Sequence, residues 1–239
     1  TWPLFGIVLA LTLPPTTPLW QALLGAAFGT LFGQEIFGGP GMSFIHPVLL
    51  GRAFLFFAYP AAMSGDAPWI AASFADVDGF SGATPLSRAM LAPDSFAALS
   101  WWDAFAGFIP GSMGETSALA CLAGAAVLIA FGIASPWTMA GVALGTAATC
   151  ALLARFGPDT FLADLPFHWH VVSGSWAFAT VYLATDPASS PFTNGGRLIF
   201  GAGVGILAIV IRVANPAYAE GMMLAILFMN VFAPLINHA

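Results

Sequence analysis

The sequence predicts an all-α fold, a polytopic bundle of transmembrane helices, on three observations. Of 239 residues 59% are hydrophobic and 7% charged, with a mean hydropathy of +0.89; a soluble domain carries about 25% charged residues. Apolar runs recur along the whole chain at close to the ~20 residues that a helix needs to cross the hydrocarbon. Lysine is absent, and the five arginines are scattered, so the net charge of -6 leaves no basic patch for nucleic acid.

Taken in order, residues 4–13 read as the end of a spanning segment. The chain opens at Thr1 and is expected to be a fragment whose upstream helices are missing. Further spans are expected at 19–36, 44–62, 116–134, 136–156, 169–184, 198–214 and 217–236. All belong to a single integral membrane domain, residues 1–239. Connections are short except for one long extramembrane segment at about residues 63–115, where Trp101 and Trp102 beside Asp103 suit the headgroup belt. Three spans separate that segment from the loop at 186–197, which places the two on opposite faces. Arg88, Arg155, Arg197 and Arg212 fall on no consistent side and so do not fix which face is inside.

An internal repeat is visible. Gly25-Ala-Ala-Phe-Gly-Thr30 recurs as Gly141-Val-Ala-Leu-Gly-Thr146, preceded by Trp20 and Trp137 respectively. Residues 44–59 line up loosely with 167–182, sharing Val48 with Val171 and Gly51 with Gly174. Two related halves with interrupted helices are therefore expected, the interruptions at Pro47 with Gly51 and at Gly174.

The long segment holds Asp78-Gly-Phe-Ser-Gly-Ala-Thr-Pro-Leu86, a small polar stretch in a chain otherwise suited to lipid. Gly79 and Gly82 allow tight turning, and Pro85 keeps Thr84 out of helix, so the threonine hydroxyl is expected to be presented outward. By composition alone the same stretch reads as a surface loop. Arg52 lies inside an apolar helix, where insertion costs about 2.5–3.5 kcal/mol; Asp66, Glu35, a helix-end carbonyl or a cofactor phosphate are its candidate partners. Asp186, Glu35 and Glu220 border breaks and are candidates for a cation path or for plain loop and cap roles. Glu115 is expected to face the N-terminal dipole of the next helix.

His168 and His170, two apart, do not share a helix face and read as interfacial, as Cys121 and Cys150 read as small buried hydrophobes. His46 and His238 offer less, and no metal site is expected. The chain has no phosphate-binding loop, dinucleotide fingerprint or iron–sulfur cysteine cluster, so NADH oxidation is not expected on it.

The Thr84 stretch resembles the flavin-attachment motif Asp-Gly-x-Ser/Thr-Gly-Ala-Thr of two related membrane proteins, the B subunits of sodium-pumping NADH:quinone reductases and the D subunits of Rnf complexes. Further blocks resemble the B subunits specifically: Gly51-Arg-Ala-Phe-Leu-Phe-Phe-Ala-Tyr-Pro60, Ile109-Pro-Gly-Ser-Met-Gly-Glu-Thr-Ser117, Ala184-Thr-Asp-Pro187 with Phe192-Thr-Asn-Gly195, and Arg212-Val-Ala-Asn-Pro-Ala-Tyr-Ala-Glu-Gly-Met-Met223. The resemblance covers nearly the whole chain.

It implies FMN joined to Thr84 by a phosphoester, installed by a flavin transferase, with Asp78, Ser81, Gly82 and Ala83 forming the motif and Arg88 near enough to neutralise phosphate. It also implies a non-covalent riboflavin within the helices, electron flow towards quinone, and sodium translocation in a multi-subunit complex of the bacterial inner membrane. The motif loop would lie outside the cytoplasm, and Asp186 would contribute to sodium handling. Asn237 stands where the resemblance leads one to expect an acid, which puts that part of a sodium path in doubt. An Rnf-type D subunit, a flavin-free solute channel and a purely structural scaffold are the competing readings.

Overall fold

Helix boundaries follow the prolines, serines and glycines of the sequence. The computed structural model describes residues 2–63, 70–71, 80–81, 84–91, 93–215, 218 and 220–238. The first part comprises α1 (Trp2–Thr12), α2 (Leu19–Gly33), a 3₁₀ turn (Glu35–Phe37), α3 (Pro47–Ala58) and α4 (Pro60–Met63). Between Met63 and Glu115 come a two-residue antiparallel pairing of β1 (Ile70–Ala71) with β2 (Phe80–Ser81), then α5 (Pro85–Leu91), α6 (Pro93–Ala97) and α7 (Trp101–Ala106). The rest is α8 (Ala118–Ala130), α9 (Pro136–Phe156), α10 (Phe161–Asp164), α11 (Phe167–Val172), α12 (Trp176–Phe178), a π-helical turn (Ala179–Leu183), α13 (Asn194–Ala214) and α14 (Met222–His238).

Pro47 and Pro136 occupy first-turn positions, where a missing N–H is tolerated. The hydroxyls of Ser117, Ser135 and Thr193 cap α8, α9 and α13 by accepting from Ala120, Thr138 and Gly196 N–H.

The fold is all-α, and its helices are packed for lipid. α2 buries Gln21, Gly25, Gly29, Thr30 and Gly33 while exposing Leu19, Trp20, Leu23, Leu31 and Phe32. α9 buries Thr138, Gly141, Gly145, Thr146 and Thr149 and exposes Leu144 and Leu152. Small and polar residues inside with large apolar ones outside invert the pattern of a soluble helix; where the surroundings are as apolar as leucine, close packing drives association.

Among the described residues two helices, Pro136–Phe156 and Asn194–Ala214, are long and apolar enough to cross a bilayer. The other expected spans are shorter or broken. Span 44–62 narrows to α3, begun by Pro47 and ended at Tyr59 before Pro60. Span 169–184 is divided at Ser173-Gly174-Ser175, where Gly174 takes φ 65°.

The repeat holds in its glycines and differs in its partners. Gly29 abuts the Pro47 carbonyl and Gly51 the Gly25 carbonyl, so α2 and α3 run antiparallel with backbones in contact. In the second copy Gly141 and Gly145 abut Leu198 and Ala202 of α13, while Gly201 and Gly205 abut Thr138 and Val142. That register makes α9 and α13 parallel. Of the expected interruptions, Gly174 breaks its helix. Pro47 and Gly51 do not, because proline at a helix start and glycine in a tight helix contact both leave α3 continuous.

Candidate functional site

Thr84 stands at the head of α5. Its Oγ1 donates to Ser87 Oγ (3.1 Å) and accepts from Ser87 N–H (3.4 Å), and its carbonyl accepts from Arg88 N–H (2.9 Å). It is therefore the N-cap of the helix that Pro85 begins. The side chain is only 6% exposed, where the sequence pattern points to an outward hydroxyl. The cause is α5 itself, whose fully buried Leu86 and Ala89 pack with Phe96, Leu162 and Leu165 and draw the helix onto the bundle. Asp78, Gly82, Ala83 and Asp66 lie outside the described residues, Ser81 is described only in its backbone pairing with Ile70, and Arg88 falls in the last turn of α5.

Beneath Thr84 is a cavity of about 10 Å³, lined also by Glu115, Thr116, Gly174 and Glu220. Two arginine–glutamate units form this floor. Arg52 of α3 approaches Glu115 (Nη1 to Oε2, 3.7 Å), and the other Glu115 oxygen accepts from Ser112 N–H (3.3 Å). The arginine thus finds an acid whose place in the sequence suggests a helix dipole instead; Ser117, not Glu115, caps α8. In this loop ahead of α8, burial and then repulsion from Glu220 push the Glu115 carboxyl up to about 7, against the opposing pull of Arg52.

The second unit centres on Arg212, fully buried in α13. Its guanidinium donates to the carbonyls of Glu220 (3.1 Å), His170 (3.0 Å) and Ser173 (3.1 Å) and to His170 Nδ1 (3.2 Å). Glu220 in turn accepts from the N–H and hydroxyl of Ser175, both at 3.0 Å. The broken helix at Gly174 and the loop before α14 are tied together in this way. His170, expected at an interface, is buried because Arg212 needs its carbonyl and ring nitrogen. The available signal was an arginine in an apolar helix.

A second polar locus lies between α1, α3 and the turn after the π-helical segment. It is a cleft of about 170 Å³ with Leu4, Phe5 and Val8 on one side and Gln34, Ser43, His46, Tyr182 and Asp186 among its polar lining. His46 is buried at the N-cap of α3, with Nδ1 lacking a hydrogen-bond partner. Asp186 accepts from the Ser189 hydroxyl (2.9 Å). Gln34 and Ser43 are additions that the sequence did not flag; a glutamine and a serine beside glycines carry little signal.

The remaining candidates separate. Glu35 is exposed on the 3₁₀ turn, so it joins neither locus, and Glu220 and Asp186 line different cavities. Asn237 accepts from Phe192 N–H (2.9 Å), tying the end of α14 to the loop before α13. Cys121 and Cys150 are buried free thiols. Among the described residues no group of three or more His, Cys, Asp or Glu could hold a metal ion.

The model of the NQR2, RnfD, RnfE family matches residues 2–239. The chain belongs to this family. It is 52% identical over 238 residues to the B subunit of the Na(+)-translocating NADH-quinone reductase of Chromohalobacter salexigens, covering 98% of this chain and 56% of that protein. The B subunits of Yersinia pestis and Pseudomonas aeruginosa are 50% and 51% identical, again over 98% of this chain and 57% and 58% of theirs. The chain thus spans a little over half the length of these relatives. The inverted packing of its helices and its family agree on a membrane protein.

Proposed function

We propose that this chain is part of the B subunit of a sodium-translocating NADH:quinone reductase in a bacterial inner membrane, with FMN on Thr84 and riboflavin within the helices. The observation that carries the reading is the Asp78–Thr84 sequence motif, whose threonine stands at the head of α5, in a chain about half identical to proteins of that name. NADH oxidation falls to another subunit, since the chain has no dinucleotide fingerprint.

The residues at Thr84 fit an ester. Esterified, Oγ1 still accepts from Ser87 N–H, and the Ser87 hydroxyl can turn to donate where it now accepts. The 10 Å³ cavity has no room for a phosphate, so the attached group extends away from the floor. The cleft fits a heteroaromatic: its lining combines apolar side chains with hydrogen-bonding groups, and the buried His46 Nδ1 is in need of a partner. When bound, the flavins supply the electron chemistry, while the chain supplies position and electrostatics.

On this reading sodium, as cargo, meets the oxygens of Asp186 and Ser189 at the cleft, and Glu220 belongs to the floor. Denaturing electrophoresis under ultraviolet light, after co-expression with the flavin transferase, tests the attachment. A fluorescent band kept in Ser81→Ala and lost in Thr84→Ala is expected; equal bands in both variants contradict it.

A further inference from the structure

Asn230 is an amide in the middle of the apolar run of α14 and is fully buried. Oriented as its neighbours require, its nitrogen donates to the Ser189 carbonyl (3.2 Å) and its oxygen accepts from His46 N–H (3.0 Å). These two partners belong to separate segments that both contribute to the cleft's lining. His46 caps α3 and lines the cleft with its ring, and Ser189 holds Asp186 through its hydroxyl (2.9 Å). The same turn closes on itself, with Ser190 N–H donating to the Asp186 carbonyl (3.1 Å).

We propose that Asn230 is a positioning residue: one amide fixes the start of α3 at His46 against the Asp186 turn, and so holds the polar lining of the cleft in place for its flat ligand. This rests on the reading of the cleft as the riboflavin site. A helix that needed only to pack would place an apolar side chain here, because a buried amide is costly unless both its ends are satisfied. Asn230 satisfies both ends, each with backbone of a different segment. Three elements that are distant in sequence (the start of α3, the turn at 186–190 and the middle of α14) thereby share one constraint. Hydrogen bonds to backbone make the clamp independent of the His46 and Ser189 side chains, which remain free to meet ligand and acid. The sequence signal is slight: one asparagine among leucines, methionines and phenylalanines.

The test uses the whole complex, co-expressed with its flavin transferase, depleted of non-covalent flavin and titrated with riboflavin. Asn230→Leu, of similar volume, leaves His46 N–H and Ser189 O unpaired and is expected to weaken riboflavin binding about tenfold. The visible absorption of the bound riboflavin shifts, while the covalent fluorescent band at Thr84 is unchanged. Wild-type affinity and absorption in Asn230→Leu overturn the proposal. If Asn230→Leu does not assemble, Asn230→Ala, which leaves space in place of a clash, decides by the same two outcomes. His46→Ala separates the premises. Undiminished riboflavin binding in His46→Ala refutes the reading of the cleft itself, whereas weakened binding there beside intact binding in the Asn230 variants refutes only the clamp.

Discussion

The two polar loci of this chain are built on opposite plans. The floor beneath Thr84 carries Arg52, Glu115, Arg212 and Glu220, and its cavity measures about 10 Å³. The cleft at Asp186 is held by backbone hydrogen bonds through Asn230 and measures about 170 Å³. Buried charges demand partners at fixed distances, so they bind segments together and leave no space. Hydrogen-bonded neutral groups span a gap without filling it. The first locus is suited to seating the segment that bears Thr84, the second to admitting a ligand.

Breaking the floor tests this contrast most severely. Arg212→Leu leaves the carbonyls of His170, Ser173 and Glu220 without their donor and is expected to cost about 3–5 kcal/mol. The check is thermal unfolding of the complex in detergent, where a wild-type transition refutes the anchoring role. Glu115→Leu strands the Arg52 charge and falls towards the lower end of the same range, about 3 kcal/mol.

Glu115→Gln, which still accepts from Ser112 and Arg52, reports instead on pH. With its carboxyl raised from 4.5 to about 7, folded Glu115 holds more protons than the unfolded chain between those values. Stability therefore declines as pH rises through that window and levels above it. The glutamine variant should flatten that part of the stability profile, and an identical slope with and without the carboxyl removes Glu115 from the account.

The cleft should answer differently. Asp186→Asn keeps an acceptor for Ser189 and is expected to change stability by no more than about 0.5 kcal/mol. It should nonetheless weaken the sodium dependence of quinone reduction in the full complex. A large loss of stability with an unaltered sodium response would reverse the assignment of roles.

The difference between the loci also explains what the sequence disclosed. Helix positions were legible because proline, glycine and capping serine act locally, as at Pro136 and Ser135. The Thr84 motif was legible because its residues are contiguous. Arg52 announced that it needed an acid, but its partner lies 63 residues away across the fold, so only the structure supplied Glu115. The burial of Thr84 was hidden for a related reason: it follows from the seating of Leu86 against Leu162 and Leu165, not from any property of the loop. Gln34, Ser43 and Asn230 gave least notice: the first two line a cleft that only the fold assembles, and Asn230 acts through backbone partners that sequence does not pair. The repeat misled in one respect. Identical glycine spacings fit an antiparallel neighbour in α3 and a parallel one in α13, because close approach depends on the spacing and not on chain direction.

One measurement bears on the central claim more directly than the rest: fragment-ion mass spectrometry of the peptide containing Thr84, taken from complex matured with its flavin transferase. The account predicts that this peptide carries the added mass of a flavin phosphate, located on the threonine. An unmodified peptide, or the same mass located on Ser81, contradicts it.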